Sequence, residues 1–330
     1  MDFSSLYNNC RLCPKSCGVD RTAGEKGYCG EGADLRLAFA GLHRGEEPPL
    51  SGQKGSGTVF VSGCNLRCVI CQNWQISSGG GSNDGRAGKC LGRAVSTEEF
   101  AEICLALQNK GAENINIVTG SHAVPAVVSG LTAAKTSGLK IPVLWNSSGY
   151  ETPETLDLLN GLVDTWLPDL KTLDDTLASR LFNTPDYPDV AAAAILWMIK
   201  NRPQRPAGGV IIRHLILPGF LESTRSVLRW FAENAAGKAL LSLMSQYTPM
   251  AETDRHGRLS RPSGLDRPGR FLSKREYETV LGWLEEFGIE DGFCQDYVTG
   301  SDWLPDFTLS NPFSSELSVP VWHYQYEHIP

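Results

Sequence analysis

Three cysteines, Cys64, Cys68 and Cys71, stand at spacing C-x3-C-x2-C on what reads as a single short loop. A closed tetrahedral zinc site, or an ordinary cubane cluster, takes four protein ligands. Three thiolates on a four-iron cluster instead leave one iron free for an exogenous ligand, which is a catalytic arrangement. Spacing alone keeps two other readings open, a zinc site or a cubane completed by the distant Cys90, Cys104 or Cys294. A second set, Cys10, Cys13, Cys17 and Cys29, puts four thiols near the start of the chain, enough to close a structural zinc site or a second iron–sulfur cluster. Ligand softness does not separate the two metals. Seven of the ten cysteines thus fall within the first 71 residues. A chain this long needs no disulfide staples, so close-spaced thiols read as metal ligands in a reducing compartment.

The elements that must position these thiols emerge from hydrophobic periodicity. Residues 1–56 are polar, turn-rich and cysteine-rich, and are expected to form a small metal-binding lobe in which coordination replaces an apolar core. From residue 57 apolar runs alternate with amphipathic stretches. GTVFVSGC is a strand that ends at Cys64, and a glycine-rich segment at 79–92 is expected to be mobile. STEEFAEICLALQNKGA is a helix capped by Ser96, with Glu99 three residues on, and TPETLDLLNG is a helix capped by Thr152 with Pro153 at its first position. Strand–helix alternation then continues through NINIVTG, IPVLWNSSG, VDTWLPDLK, GVIIRHLILPG and ALLSLMSQY. Six such units predict a parallel sheet over 57–288, with function at the carboxyl ends of its strands. The aromatic, proline-bearing segment 289–330 is expected to cover the barrel.

Charge and composition narrow the class. Thirty Lys and Arg against 37 Asp and Glu leave a net charge of −7, a poor field for a nucleic-acid backbone. No apolar stretch is long enough to span a bilayer, and MDFSSLYNNC lacks the basic start and apolar core of a signal peptide. The expectation is a cytoplasmic protein with no nucleic-acid or membrane partner.

C-x3-C-x2-C directly after the first strand of a six-unit β/α chain resembles the radical S-adenosylmethionine (SAM) superfamily. Gln72-Asn73 after the third cysteine, SSG after the third strand, DLK after the fourth and IRHLILPG on the fifth are similar to the pyruvate formate-lyase activating enzymes. CRLCPKSCGVDRTAGEKGYCG, NINIVTGSHAVP and SLMSQYTP extend that similarity, to an uncharacterised branch of activating-enzyme homologues, over nearly the whole chain. The resemblance implies a partial (β/α)6 TIM-like barrel, a [4Fe–4S] cluster on Cys64, Cys68 and Cys71, and SAM bound at the open iron. It implies one-electron cleavage of the sulfonium, hydrogen abstraction by a 5′-deoxyadenosyl radical, a reducing flavodoxin or ferredoxin as donor, and a glycyl-radical enzyme as substrate. The alternatives are a radical-SAM enzyme acting on another protein or a small molecule, and an iron–sulfur electron-transfer or metal-binding module that does not turn SAM over.

Carried over by position, Asn73 would approach SAM. Asp169 and Lys171 would hold the ribose region or, with Asn146 and Ser147, help bind a monovalent cation. Where many superfamily members place Gly-Gly-Glu for the SAM ammonium, this chain has Thr119-Gly120-Ser121-His122, so hydroxyls of Thr119 and Ser121 or backbone oxygens would make that contact. The position before the third cysteine, often aromatic, is Ile70. Arg213 offers a guanidinium fork for the SAM carboxylate or a peptide backbone, and His214 and Gln246 lie where they would reach cofactor or substrate.

Overall fold

The computed structural model describes residues 3–77, 90–203, 209–250, 252–253, 259–260 and 268–329. Most of the glycine-rich segment at 79–92 lies outside these residues. In chain order the elements are β1 (Leu35–His43), α1 (Pro48–Ser51), β2 (Ser56–Val61), α2 (Trp74–Ser77), β3 (Arg93–Val95), α3 (Thr97–Lys110), β4 (Ile115–Val118), α4 (Val124–Thr136), β5 (Val143–Ser147), α5 (Pro153–Leu159) and β6 (Thr165–Pro168). There follow α6 (Asp175–Phe182), α7 (Tyr187–Lys200), β7 (Gly209–Leu215), α8 (Leu221–Asn234), β8 (Leu240–Met244), β9 (Glu252–Thr253), β10 (Leu259–Ser260), α9 (Lys274–Glu286), β11 (Gly292–Cys294), β12 (Ser318–His323) and β13 (Glu327–His328).

One sheet organises the molecule, in the order β11-β8-β7-β6-β5-β4-β2-β1-β12-β13, with β3 against β1. From β2 to β8 the pairing is parallel throughout. The fold is an open, partial barrel of the α/β class, with the six expected parallel strands and a seventh, β11, added beside β8. Crossover helices bury one face of the strands, where Val59, Ile117, Trp145, Trp166, Ile212 and Leu243 join the main apolar core. The alternate residues form the inner face.

Local chemistry fixes the helix starts. Ser96 accepts from the Glu99 amide at 3.1 Å, and α3 ends on Gly111 in the left-handed region. Thr152 caps α5 ahead of Pro153, and a reciprocal Ser273–Glu276 capping box opens α9. Besides the four-residue α1 and α2, helix α6 has no counterpart in the periodicity reading. Its signals are Asp174, which caps the Leu177 amide at 2.9 Å, and buried Leu177, Ala178, Leu181 and Phe182 at helical spacing.

Two segments sit differently from the sequence expectation. Residues 1–56 do not lack regular structure. Leu35–His43 forms a nine-residue strand paired antiparallel to β2 and to β12, so it is part of the main sheet. The region 289–330 adds strands at both ends of the sheet through β11, β12 and β13. It also sends Phe307 and Phe313 onto Phe60, with ring centroids 5.3 and 5.7 Å away. No helix among the described residues is long and apolar enough to cross a membrane.

The packing of α4 against α3 depends on Gly130 of α4. A methyl group there would fall 2.3 Å from Cδ1 of Phe100 on α3, the helix that packs on β2 and β4. Gly130→Ala should therefore destabilise the fold by about 1–3 kcal/mol despite alanine's better helix propensity. A lowered urea midpoint at constant m-value checks this; an unchanged midpoint would show that the helices can part without cost.

Candidate functional site

β2 is buried along its whole length and runs straight into the cysteine loop. At Gly63 the backbone turns through φ +85°, a left-handed conformation, and the Gly63 amide donates to the Ile76 carbonyl at 2.7 Å. The loop is pinned at four further points. The Cys64 amide donates to the Cys29 carbonyl at 3.4 Å, the Val69 amide to the Leu181 carbonyl at 2.9 Å, and Asn65 Nδ2 to the Tyr150 carbonyl at 2.8 Å. Leu66 is fully buried beneath the loop. Cys64 Sγ accepts the Leu66 amide at 3.4 Å, and Ser77 Oγ donates to Cys71 Sγ at 3.2 Å.

Burial pushes the Cys68 thiol well above its ordinary value, opposed by the Lys171 ammonium nearby. Burial likewise raises Cys71, to about 11, against a hydrogen bond from Ser77. Lys171 pairs with Asp169, and its amide donates to the Tyr187 hydroxyl at 3.0 Å. Burial would lower the Lys171 pKa, but the Asp169 and Cys68 charges hold it raised. An ammonium thus stands near two of the three thiols, Cys68 and Cys71, and a carboxylate. No three His, Cys, Asp or Glu side chains among the described residues stand ready as a metal cage. The chemistry of the donors nonetheless fits an iron–sulfur cluster, because the loop offers three thiols, no imidazole or carboxylate, and a neighbouring cation to offset thiolate charge.

Strand parity sorts the other expected residues. Register pairs Asn146 with Leu167, and Asp169 bridges Arg213, so Asn146, Asp169 and Arg213 share the inner face. Gln246 lies at the same mouth, where its carbonyl accepts from Gln72 Nε2 at 2.9 Å and its Oε1 from Gln295 at 2.8 Å. Asn73 is partly exposed beside the loop, and its carbonyl accepts the Ile76 and Ser77 amides at 3.1 Å each. Thr119 adopts φ +62° and donates its amide to the Asn146 carbonyl at 2.8 Å.

Ser147, Ser121 and His214 do not join them. Ser147 and His214 fall on the helix-facing side of their strands, one residue out of phase with Asn146 and Arg213. Ser121 and Ser147 donate to a residue that sequence reasoning missed, Glu151, at 2.7 and 2.8 Å, and Trp145 Nε1 adds a third bond at 2.6 Å. His214 bonds the Leu170 carbonyl at 2.7 Å and Thr224 Oγ1 at 3.0 Å, and burial lowers its pKa to about 4. His122 is buried against the Ser62 carbonyl at 2.8 Å, away from the inner face, and burial lowers it to about 3.

Arg213 reaches the inner face but is already engaged. Its Nε and Nη2 bond both Glu47 carboxylate oxygens, at 2.8 and 2.5 Å, and Nη2 also pairs with Glu46. Asn116 Nδ2 bonds Glu46 Oε1 at 3.2 Å. Leu50 from the same segment meets Leu144, Leu167 and Ile211. The segment Glu46–Leu50 therefore floors the barrel interior. The expected Arg213 contact with the SAM carboxylate competes with two acids in place.

Residues 58–231, more than half of the chain, match the radical SAM superfamily. An uncharacterized protein of Methanocaldococcus jannaschii is 29% identical over 286 residues, covering 87% of this chain and 77% of that protein. Among solved structures, SuiB of Streptococcus suis bound to precursor peptide SuiA aligns with a TM-score of 0.47 at 14% identity, over 70% of this chain and 46% of SuiB. The chain thus spans about half the length of SuiB. A domain of pyruvate-formate lyase-activating enzyme from Bacteroides vulgatus aligns with a TM-score of 0.37 at 14% identity, over 52% of this chain and 91% of that domain.

Glu151 gives the site its most direct stability test. Burial raises its pKa, opposed by hydrogen bonds from Trp145, Ser121 and Ser147. A carboxyl raised on folding binds its proton more tightly in the native state, so its contribution falls as pH climbs from the ordinary carboxylate range through the raised native value. Glu151→Gln should stay folded and flatten that decline. Glu151→Leu, which orphans three donors, should cost about 1–3 kcal/mol per donor left unsatisfied. Urea unfolding of the three proteins from pH 4 to 8 checks both; parallel pH profiles for wild type and Glu151→Gln would contradict the assignment.

Proposed function

The chain belongs to the radical SAM superfamily, which implies a [4Fe–4S] cluster and SAM, and on that premise we propose that it activates a glycyl-radical enzyme by abstracting hydrogen from a glycine of that partner. The observation that carries the cluster assignment is the Cys64–Cys71 loop at the carboxyl end of β2, with the Lys171–Asp169 pair facing Cys68. The cluster, when bound, supplies the electron that cleaves the sulfonium of SAM.

The chain's own residues bind, orient and shield. Cys64, Cys68 and Cys71 hold the cluster. Asn73, Thr119, Asn146, Asp169 and Lys171 surround the inner mouth beside it, offering amide, hydroxyl and charged groups for the amino-acid and ribose parts of SAM. Asn146 and Asp169 also offer oxygens for a monovalent cation. Glu46, Glu47, Arg213 and Leu50 close the inner floor, which leaves the carboxyl-end mouth for substrate and keeps water from the reacting end. Support for a peptide substrate comes from the resemblance at Gln72-Asn73, Asp169–Lys171 and Ile212–Gly219, and from the open edge of the sheet. A reduced flavodoxin or ferredoxin is the donor class this chemistry requires.

Anaerobically reconstituted, reduced protein should release 5′-deoxyadenosine and methionine from SAM. Cys68→Ala should abolish the release, and Lys171→Met should keep its iron while slowing release about 10- to 100-fold, the loss expected for one charged hydrogen bond. A stable glycyl doublet in a co-purifying protein, seen by paramagnetic resonance, is the expected sign of activation. Deuterium transfer from a labelled small molecule without a protein radical would replace the activase reading. An intact, reduced cluster whose spectrum ignores SAM would leave an electron-transfer module.

A further inference from the structure

The N-terminal segment holds the densest unexplained chemistry outside the cluster loop. Cys10, Cys13 and Cys29 are buried and Cys17 is exposed. Gly27 lies between two of them; a methyl group on it would meet Cys17 Sγ at 3.2 Å and Cys29 Sγ at 3.4 Å. Beside them Arg21 is only 2% exposed. Its guanidinium donates to the Gly32 carbonyl, to the His122 carbonyl at 2.6 Å and toward Cys10 Sγ at 3.8 Å, and it lies 4.4 Å from the Tyr7 ring centroid. The nearby Glu31 carboxylate is taken by Arg36, at 2.9 and 3.0 Å. A buried guanidinium bonded only to carbonyls and sulfur is strongly disfavoured unless an anion stands close.

We propose that Cys10, Cys13, Cys17 and Cys29 form a tetrathiolate metal centre whose negative charge answers Arg21 and which buttresses the cluster loop. Zinc held by four thiolates carries a net charge of about −2, as does an oxidised cubane held by four, so either supplies the missing anion. The buttress is direct. The Cys29 carbonyl accepts the Cys64 amide at 3.4 Å, and Arg67 of the cluster loop lies over the ring of Tyr28, the residue before Cys29, at 5.3 Å. One metal-ligand carrier, Cys29, thus touches Cys64, the residue that opens the cluster loop. This centre goes beyond the proposed reaction and does not depend on it.

The test uses the full chain with Cys64, Cys68 and Cys71 all replaced by alanine, so that metal remaining on the protein cannot be held by that loop and loss of SAM cleavage does not bear on the result. Elemental and sulfide analysis should find about one zinc per chain, or about four irons with matching sulfide, which separates the two sources. Adding Cys17→Ser, at an exposed position that loses little packing, should cut metal retained under chelator at least about tenfold. In the otherwise unaltered chain Cys17→Ser should raise hydrogen exchange of the peptide containing the Cys64 amide about tenfold; this measurement also serves if the alanine variant does not fold. Only trace metal in a folded alanine variant, or metal indifferent to Cys17→Ser, would overturn the centre. Metal loss with unchanged exchange at Cys64 would overturn the buttress.

Discussion

Gly63 is where the separate parts of the molecule are forced to agree. It makes the turn two residues past the end of β2, at φ +85°, and a side chain on it would fall 2.4 Å from Glu31 Cγ, 3.0 Å from His122 Nε2 and 3.1 Å from the Cys29 carbonyl. Those neighbours belong to the cysteine-rich segment and to the loop after β4. Only a residue without Cβ lets the three meet behind the cluster loop, and the approach leaves the Cys64 amide in line with the Cys29 carbonyl. The direction in which Cys64 leaves the sheet is thus set by crowding from behind as much as by β2.

Crowding from behind is matched by charge from below. Arg213, Glu46 and Glu47 place three ionisable groups inside the barrel, and they hold because Arg213 meets Glu47 with two parallel bonds and Glu46 with a third contact. Burial would raise the Glu47 pKa, yet the Arg213 guanidinium keeps it lowered, and the two acids in turn hold Arg213 raised. Removing one partner from such a pair leaves an uncompensated buried charge, a penalty of about 3–5 kcal/mol. The floor is rigid for that reason, and the polar groups free to meet a ligand are confined to the layer above it, where Asn146, Asp169 and Lys171 stand.

This division also explains which parts of the site were legible in the sequence. Element type was, because six apolar runs separated by capped helical stretches have no other economical packing, and Ser96, Thr152 and Pro153 mark helix starts by chemistry that acts over three residues. Strand phase was harder to read. A parallel strand buried on both faces carries no polar alternation, so nothing in LWNSS says that Asn146 faces inward while Ser147 faces the helices. The same ambiguity put His214 beside Arg213 when the two point to opposite layers. Glu151 went unnoticed because its partners, Ser121, Trp145 and Ser147, come together only after β4 and β5 pair. The available signal was an acidic residue directly before the Thr152 cap with no basic residue within helical reach. Strand β1 was hidden for another reason: its residues AFAGLH read as irregular because both faces are covered, on one side by helices and on the other by aromatic rings from the far end of the chain.

The inner and outer faces also differ in what they leave to spare. On the helix-facing side the buried groups around Glu151 and His214 are consumed: Glu151 by three donors, His214 by two partners, Ser121 and Ser147 by the same carboxylate. On the inner side the lower layer is held by the Arg213 cluster, whereas in the upper layer Lys171 pairs with Asp169, Gln246 bonds Gln72 and Gln295, and the Asn146 side chain makes no hydrogen bond among the described residues. A fold that satisfied every group would bind nothing, because a ligand gains only what the empty site forgoes. The unsatisfied layer lies between the cysteine loop and the carboxyl ends of β4 to β6, within reach of Cys68 through Lys171. On the proposed function, that is where a sulfonium-bearing amino acid, with its ammonium, carboxylate and ribose hydroxyls, would find partners without displacing any that hold the fold together.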